Sequence, residues 1–123
     1  MHATRDQLPV TFDAAGITFR GLDWGEMRVT VNSWPAGLDA NDFLGGFPDR
    51  RCPCPHWGYV AKGRMRVTSP DGVETFAAGD LYYLPPGHTM VVDEDVELLE
   101  FSPAEQMAEI GETLRRTFPT QPA

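Results

Sequence analysis

The chain has 123 residues, 41% of them hydrophobic, and a formal net charge of −8, a length that fits one domain burying roughly two thirds of its unfolded surface. The acidic balance argues against nucleic acid, whose binding rests on neutralising phosphates with Lys and Arg, and against an anionic membrane surface. No run approaches the ~20 consecutive apolar residues of a membrane helix, and the start Met1-His2-Ala3-Thr4-Arg5-Asp6-Gln7-Leu8-Pro9 has no apolar signal core, so cytoplasmic residence is the expectation.

Val10 to Phe12, Ile17 to Leu22 and Met27 to Trp34 alternate loosely, punctuated by Gly16, Gly21 and Gly25, and are predicted strands. From Pro35 to Arg51 the chain is too rich in Gly, Pro and Asp for regular structure. A loop of this length is often functional: Phe43, Leu44 and Phe47 either close over a pocket or pin the loop to the core. Arg50-Arg51 is a local basic exception that either attracts an anionic ligand or is simply solvated.

The stretch Cys52-Pro53-Cys54-Pro55-His56-Trp57-Gly58-Tyr59-Val60 places two thiols and an imidazole at the start of a run that reads as a strand. Side chains alternate with period two, so His56, Gly58 and Val60 share one face and Trp57, Tyr59 and Ala61 the other. Oxidation of Cys52 and Cys54 would close a very small strained ring, so free thiols or thiolate ligands are expected. Gly63 breaks the run and Arg64 to Thr68 alternates again. Ser69-Pro70-Asp71-Gly72 is a turn, and Val73 to Phe76 the returning strand. Ala77-Ala78-Gly79-Asp80 and Pro85-Pro86-Gly87 are further turns around the short strand Leu81 to Leu84. His88 to Val92 and Val96 to Phe101 are two more strands about an acidic turn, Asp93-Glu94-Asp95. Ser102-Pro103-Ala104-Glu105 is a capping box. It should start a helix of about 14 residues at Pro103, whose stripe Met107, Ile110, Leu114 and Phe118 packs on the outside of the strands.

Short strands at this spacing indicate an all-β sandwich or barrel. The segment from about Cys52 to Pro103 resembles a cupin, a jelly-roll β-barrel. Its second motif, glycine, five residues, proline, one residue, glycine, is matched by Gly79, Pro85 and Gly87, and the spacing that closes its first motif by His56 through Gly63. The resemblance implies a cupin-type barrel over about residues 10–102 with one C-terminal helix over about 103–117, and a homodimer is expected. In that family two histidines and a glutamate of the first motif and a histidine of the second hold a divalent metal. Here Arg50, Cys52, His56 and Met90 stand near those positions, so a standard iron or manganese site is not implied. His88, two residues before Met90, faces the same way in an extended strand.

Two readings of these residues stay open. In one, His56, His88 and one or both of Cys52 and Cys54 bind a metal, zinc first because thiolate and imidazole suit it, with iron or copper accepted by the same donors. In the other, the cysteines are small buried hydrophobes and the histidines are hydrogen-bonded residues of a ligand-filled barrel. Met90, Phe43, Phe47 and Arg50 are the candidate wall of a small-molecule pocket. Three function classes follow: a metal-assisted lyase, isomerase or oxygenase, a small-ligand binding or sensing module, and a barrel with a structural Cys2His2 zinc. Glu26, Glu74, Glu94, Glu97 and Glu100 read as solvated or edge residues, and no glycine-rich phosphate loop precedes a helix.

Overall fold

The computed structural model describes residues 1–117; Phe118 of the expected stripe and Pro119 of the expected tail lie outside the described residues. The strands are β1 (Val10–Ala14), β2 (Ile17–Trp24), β3 (Met27–Trp34), β4 (His56–Ser69), β5 (Gly72–Ala77), β6 (Leu81–Leu84) and β7 (Thr89–Pro103), followed by α1 (Ala104–Thr117). They form one antiparallel sheet ordered β1-β2-β3-β7-β4-β5, with β6 also on β4. The fold is an all-β barrel of the expected kind with a C-terminal helix.

β4 is the hub. Its first residues, His56 to Tyr59, pair with β6, its last, Arg64 to Ser69, pair with β5, and its other edge runs along β7. Two expected breaks are absent, because β4 and β7 bulge together. The register shifts between Val60 and Met65, where Gly63 adopts φ +86° with the Asp95 backbone against its α-carbon, a place no side chain would fit. The acidic stretch expected to turn instead stays extended, since Arg66 pairs with Asp93 at 3.0 Å and Arg64 reaches Asp93 and Glu94 at 3.9 Å. Alternation then sends Val60, Met65 and Val67 of β4, and Val92, Val96 and Leu98 of β7, into the core. Each fully buried side chain of this size contributes about 1.5–3 kcal/mol.

Loop 35–51 holds only two single 3-10 turns, Ala40–Asp42 and Pro48–Arg50. Among the described residues no helix is long and apolar enough to cross a membrane. The helix begins one residue later than expected, and Ser102 does not serve it as the capping pattern suggests: its hydroxyl is turned into the barrel. Met107, Ile110 and Leu114 are buried as the spacing requires, but they do not cover the outer face. They lie over the inner side of the sheet and line the cavity there. There they share one cavity with the apolar inner residues Phe19 and Leu98.

Candidate metal centre

Backbone hydrogen bonds bring the two motif stretches together. The Cys52 N–H donates to the His88 carbonyl and the Gly87 N–H to the Cys52 carbonyl, both at 2.8 Å, so loop residue Cys52 and the start of β7 act as a short extra rung. Gly87, at φ +89°, makes the turn that permits it. His56 opens β4 beside them, and the His56 and His88 rings sit 5.0 Å apart, edge to face.

One ligand atom each from Cys52, His56 and His88 lies within 4.8 Å of the others, and all three residues are buried. Cys52 Sγ is 3.8 Å from His56 Nε2. The outer nitrogen of each ring is anchored elsewhere: His56 Nδ1 pairs with the Ser102 hydroxyl at 2.6 Å, and His88 Nδ1 donates to the Pro85 carbonyl at 2.8 Å. Fixing Nδ1 leaves Nε2 as the nitrogen available to a metal, the arrangement that orients metal-ligating histidines.

Burial keeps these groups neutral. It lowers His56 from 6.5 to about 4, and burial together with the neighbouring His56 lowers His88 to about 4. The Cys52 thiol is pushed up to about 12 by burial. A thiolate–imidazolium pair is therefore disfavoured, which argues against Cys52 as a nucleophile activated by His56 alone. Neutral imidazoles are ready metal ligands, and a cation would take the thiol proton's place.

The donors open onto a cavity of about 80 Å³ between the inner sheet, loop 38–52 and α1. Glu100 also lines it and is only 4% exposed. Its Oε1 accepts from Asn32 Nδ2 at 2.8 Å and its Oε2 from the Tyr82 hydroxyl at 2.6 Å. Burial raises the Glu100 carboxyl above its usual range, and Tyr82 is raised as well, by burial first and then by Glu100. Gly58 makes room for this pair, because a β-carbon there would strike the Tyr82 ring and lie 2.7 Å from the Leu99 carbonyl oxygen.

No protein-family model and no curated protein matches the chain. Solved structures do. An RmlC-like cupin from Shewanella frigidimarina is similar at TM-score 0.64 and 19% identity, over 83% of this chain and 89% of that one. KdgF from a Halomonas species is similar at 0.64 and 18%, over 87% and 99%. The fold is that of the cupins. The polyketide cyclase RemF from Streptomyces resistomycificus shares this cupin fold at TM-score 0.58 and 17% identity, over 84% and 78%. Identities this low speak to the fold alone.

Within the cupin barrel the expected site residues divide. Cys52, His56 and His88 converge, and Met90 and Phe43 line the same cavity, with Leu44 beside them. Cys54 stands outside the donor group: it is 1% exposed, and its thiol turns to the Pro55 carbonyl at 3.4 Å, because prolines at 53 and 55 fix the direction of the chain. Phe47 packs against the core rather than on the cavity wall. Arg50 is not a wall residue either; its guanidinium donates to the Asn41 carbonyl at 2.8 Å and ties the loop to itself. Glu100 is the correction in the other direction. It shares the inward face of β7 with Leu98 and Ser102, and strict alternation from Leu98 would have placed it there.

Proposed function

We propose that the chain is a metal-dependent enzyme whose metal, zinc first, is held by Cys52, His56 and His88 and whose cavity takes a small organic molecule. The observation that carries this is the convergence of one thiol and two pre-oriented imidazoles on that cavity. Three protein donors and an open position are the pattern of catalytic zinc sites, whereas structural sites use four. Since the Cys54 thiol is committed to Pro55, the reading of a closed Cys2His2 staple loses support. Glu100 adds a second argument. A buried carboxylate whose partners are an amide and a phenol, in a cavity that no Lys or Arg lines among the described residues, is costly without a nearby cation.

When bound, the metal would supply Lewis acidity to a carbonyl or hydroxyl oxygen of the occupant. The protein's own residues do the rest. Asn32 and Tyr82 position Glu100, whose raised pKa suits it to take and return a proton. The apolar walls, with Met107, Ile110 and Leu114 of α1 among them, make the surroundings of that proton transfer largely non-polar. With zinc this describes an isomerase or lyase acting beside a carbonyl; with iron the same pocket would suit an oxygenase. Free buried thiols are consistent with cytoplasmic residence.

A homodimer belongs to the same reading. Trp57, Tyr59, Leu81, Tyr83 and Phe101 stand exposed on the outer face of β6, β4 and β7, Trp57 46% and Tyr83 49%, with Trp57 between its register partners Tyr83 and Phe101. On a chain of net charge −8, an uncharged aromatic face is where two copies can approach without like-charge repulsion.

The direct test is metal analysis of protein purified without a histidine tag, with His56→Ala/His88→Ala as control. Near-stoichiometric metal in the wild type and loss in the double variant are expected. Equal traces in both would end the proposal.

A further inference from the structure

The cavity carries polar atoms that the fold leaves unused. Asn32 is 4% exposed, and its Nδ2 is spent on Glu100 while its Oδ1 has no hydrogen-bond partner among the described residues. Trp34 Nε1 and Thr89 Oγ1 are likewise buried without partners. All three residues line the metal-centre cavity. Buried polar atoms are almost always satisfied, and one left unpaired is destabilising until a partner reaches it. Three on one cavity wall describe the complement of an occupant.

That complement can be read atom by atom. Asn32 Oδ1 accepts only, so the occupant must donate; Trp34 Nε1 donates only, so the occupant must also accept. Phe19, Phe43, Leu44, Met107, Ile110 and Leu114 surround these points, so its body is apolar. The ring of Trp34 packs 5.3 Å from that of Phe19, another residue of this wall. Charge is disfavoured, because Glu100 faces the space, no Lys or Arg lines it among the described residues, and Arg50 is turned away to Asn41. A cavity of about 80 Å³ sets a small size.

We infer that the occupant is a small neutral hydroxy-carbonyl compound, read by Asn32 at its hydroxyl and by Trp34 at its carbonyl. The inference deepens the metal-enzyme reading and rests on it for the location of the site, but its evidence is the unpaired atoms and not the metal ligands. It departs from the alternative in which Arg50 or Arg51 attracts an anionic ligand.

The test is calorimetric titration of zinc-loaded and chelator-treated protein with four matched probes: 3-hydroxybutan-2-one, butan-2-one, butan-2-ol and lactate. The hydroxy ketone should bind about fivefold to tenfold more tightly than the ketone or the alcohol, the value of one neutral hydrogen bond, and lactate should be weakest in chelator-treated protein. Trp34→Phe keeps the ring and breaks no hydrogen bond of the fold, so it should abolish the preference over butan-2-ol. Asn32→Leu should abolish the preference over butan-2-one. Equal binding of ketone and hydroxy ketone, tighter binding of lactate to chelator-treated protein, or no binding of any probe up to its solubility overturns the inference. Selectivity in a wild type that takes up no metal would sink the metal reading alone, and metal binding without selectivity would sink this one alone.

Discussion

Protonation of the buried histidines should make the metal-free protein lose stability in a defined acid window. His56 falls from 6.5 to about 4 because burial penalises its charged form. A base lowered in this way leaves stability intact above the unfolded value and removes it as pH falls through the folded one, since the unfolded chain takes up the proton first. A gap from 6.5 to about 4 corresponds to about 3 kcal/mol. Glu100 works the other way: a carboxyl raised by burial costs stability at high pH and relieves that cost as pH falls. Comparing wild type with His56→Gln cancels the Glu100 contribution, because both proteins carry it. Urea unfolding with a chelator present, at steps from pH 7 to pH 4, is the assay. The wild type should lose about 3 kcal/mol relative to the variant, a little of it from His88, which His56 helps to lower. A difference that stays flat across this range would refute the burial argument for the site.

Cys52→Ser should weaken zinc binding by at least about tenfold, while Cys54→Ser should leave one metal per chain and reduce only thermal stability, since that thiol is buried and turned to Pro55; loss of metal from Cys54→Ser in a competition titration would reverse the assignment. Ser102→Ala removes the hydroxyl that fixes His56 Nδ1 and should lower metal affinity about 10- to 100-fold, which unchanged zinc affinity would contradict. Trp57→Glu/Tyr83→Glu places charge on the exposed aromatic face and should convert a dimer to a monomer by light scattering with metal content intact; a wild type that is monomeric at all concentrations removes the dimer.

The strands were legible because alternation and turn residues agree along most of the chain. Met27 to Trp34 and Leu81 to Leu84 read from sequence as they fold, and Val10 to Phe12 falls within the longer β1. What misled was local chemistry that tertiary pairing overrides. Asp93-Glu94-Asp95 reads as a turn until Arg64 and Arg66 on the neighbouring strand supply partners. Ser102 reads as a helix cap until β4 places His56 opposite it. The thiol and imidazoles were visible as residue types, but Cys54 could be separated from Cys52 only by the direction two prolines impose. Glu100 was hidden by the assumption that glutamates in strands face water, an assumption the Asn32 and Tyr82 hydrogen bonds defeat. The role of α1 was equally hidden, because an apolar stripe specifies burial and not which surface it covers.

The central claim is one metal held by one sulfur and two imidazoles with a position left open. X-ray absorption on the zinc-loaded protein tests it most directly. Expected are one sulfur at about 2.3 Å, two nitrogens at about 2.0 Å and one exchangeable light ligand. Two sulfurs in the zinc shell, or none, would contradict it.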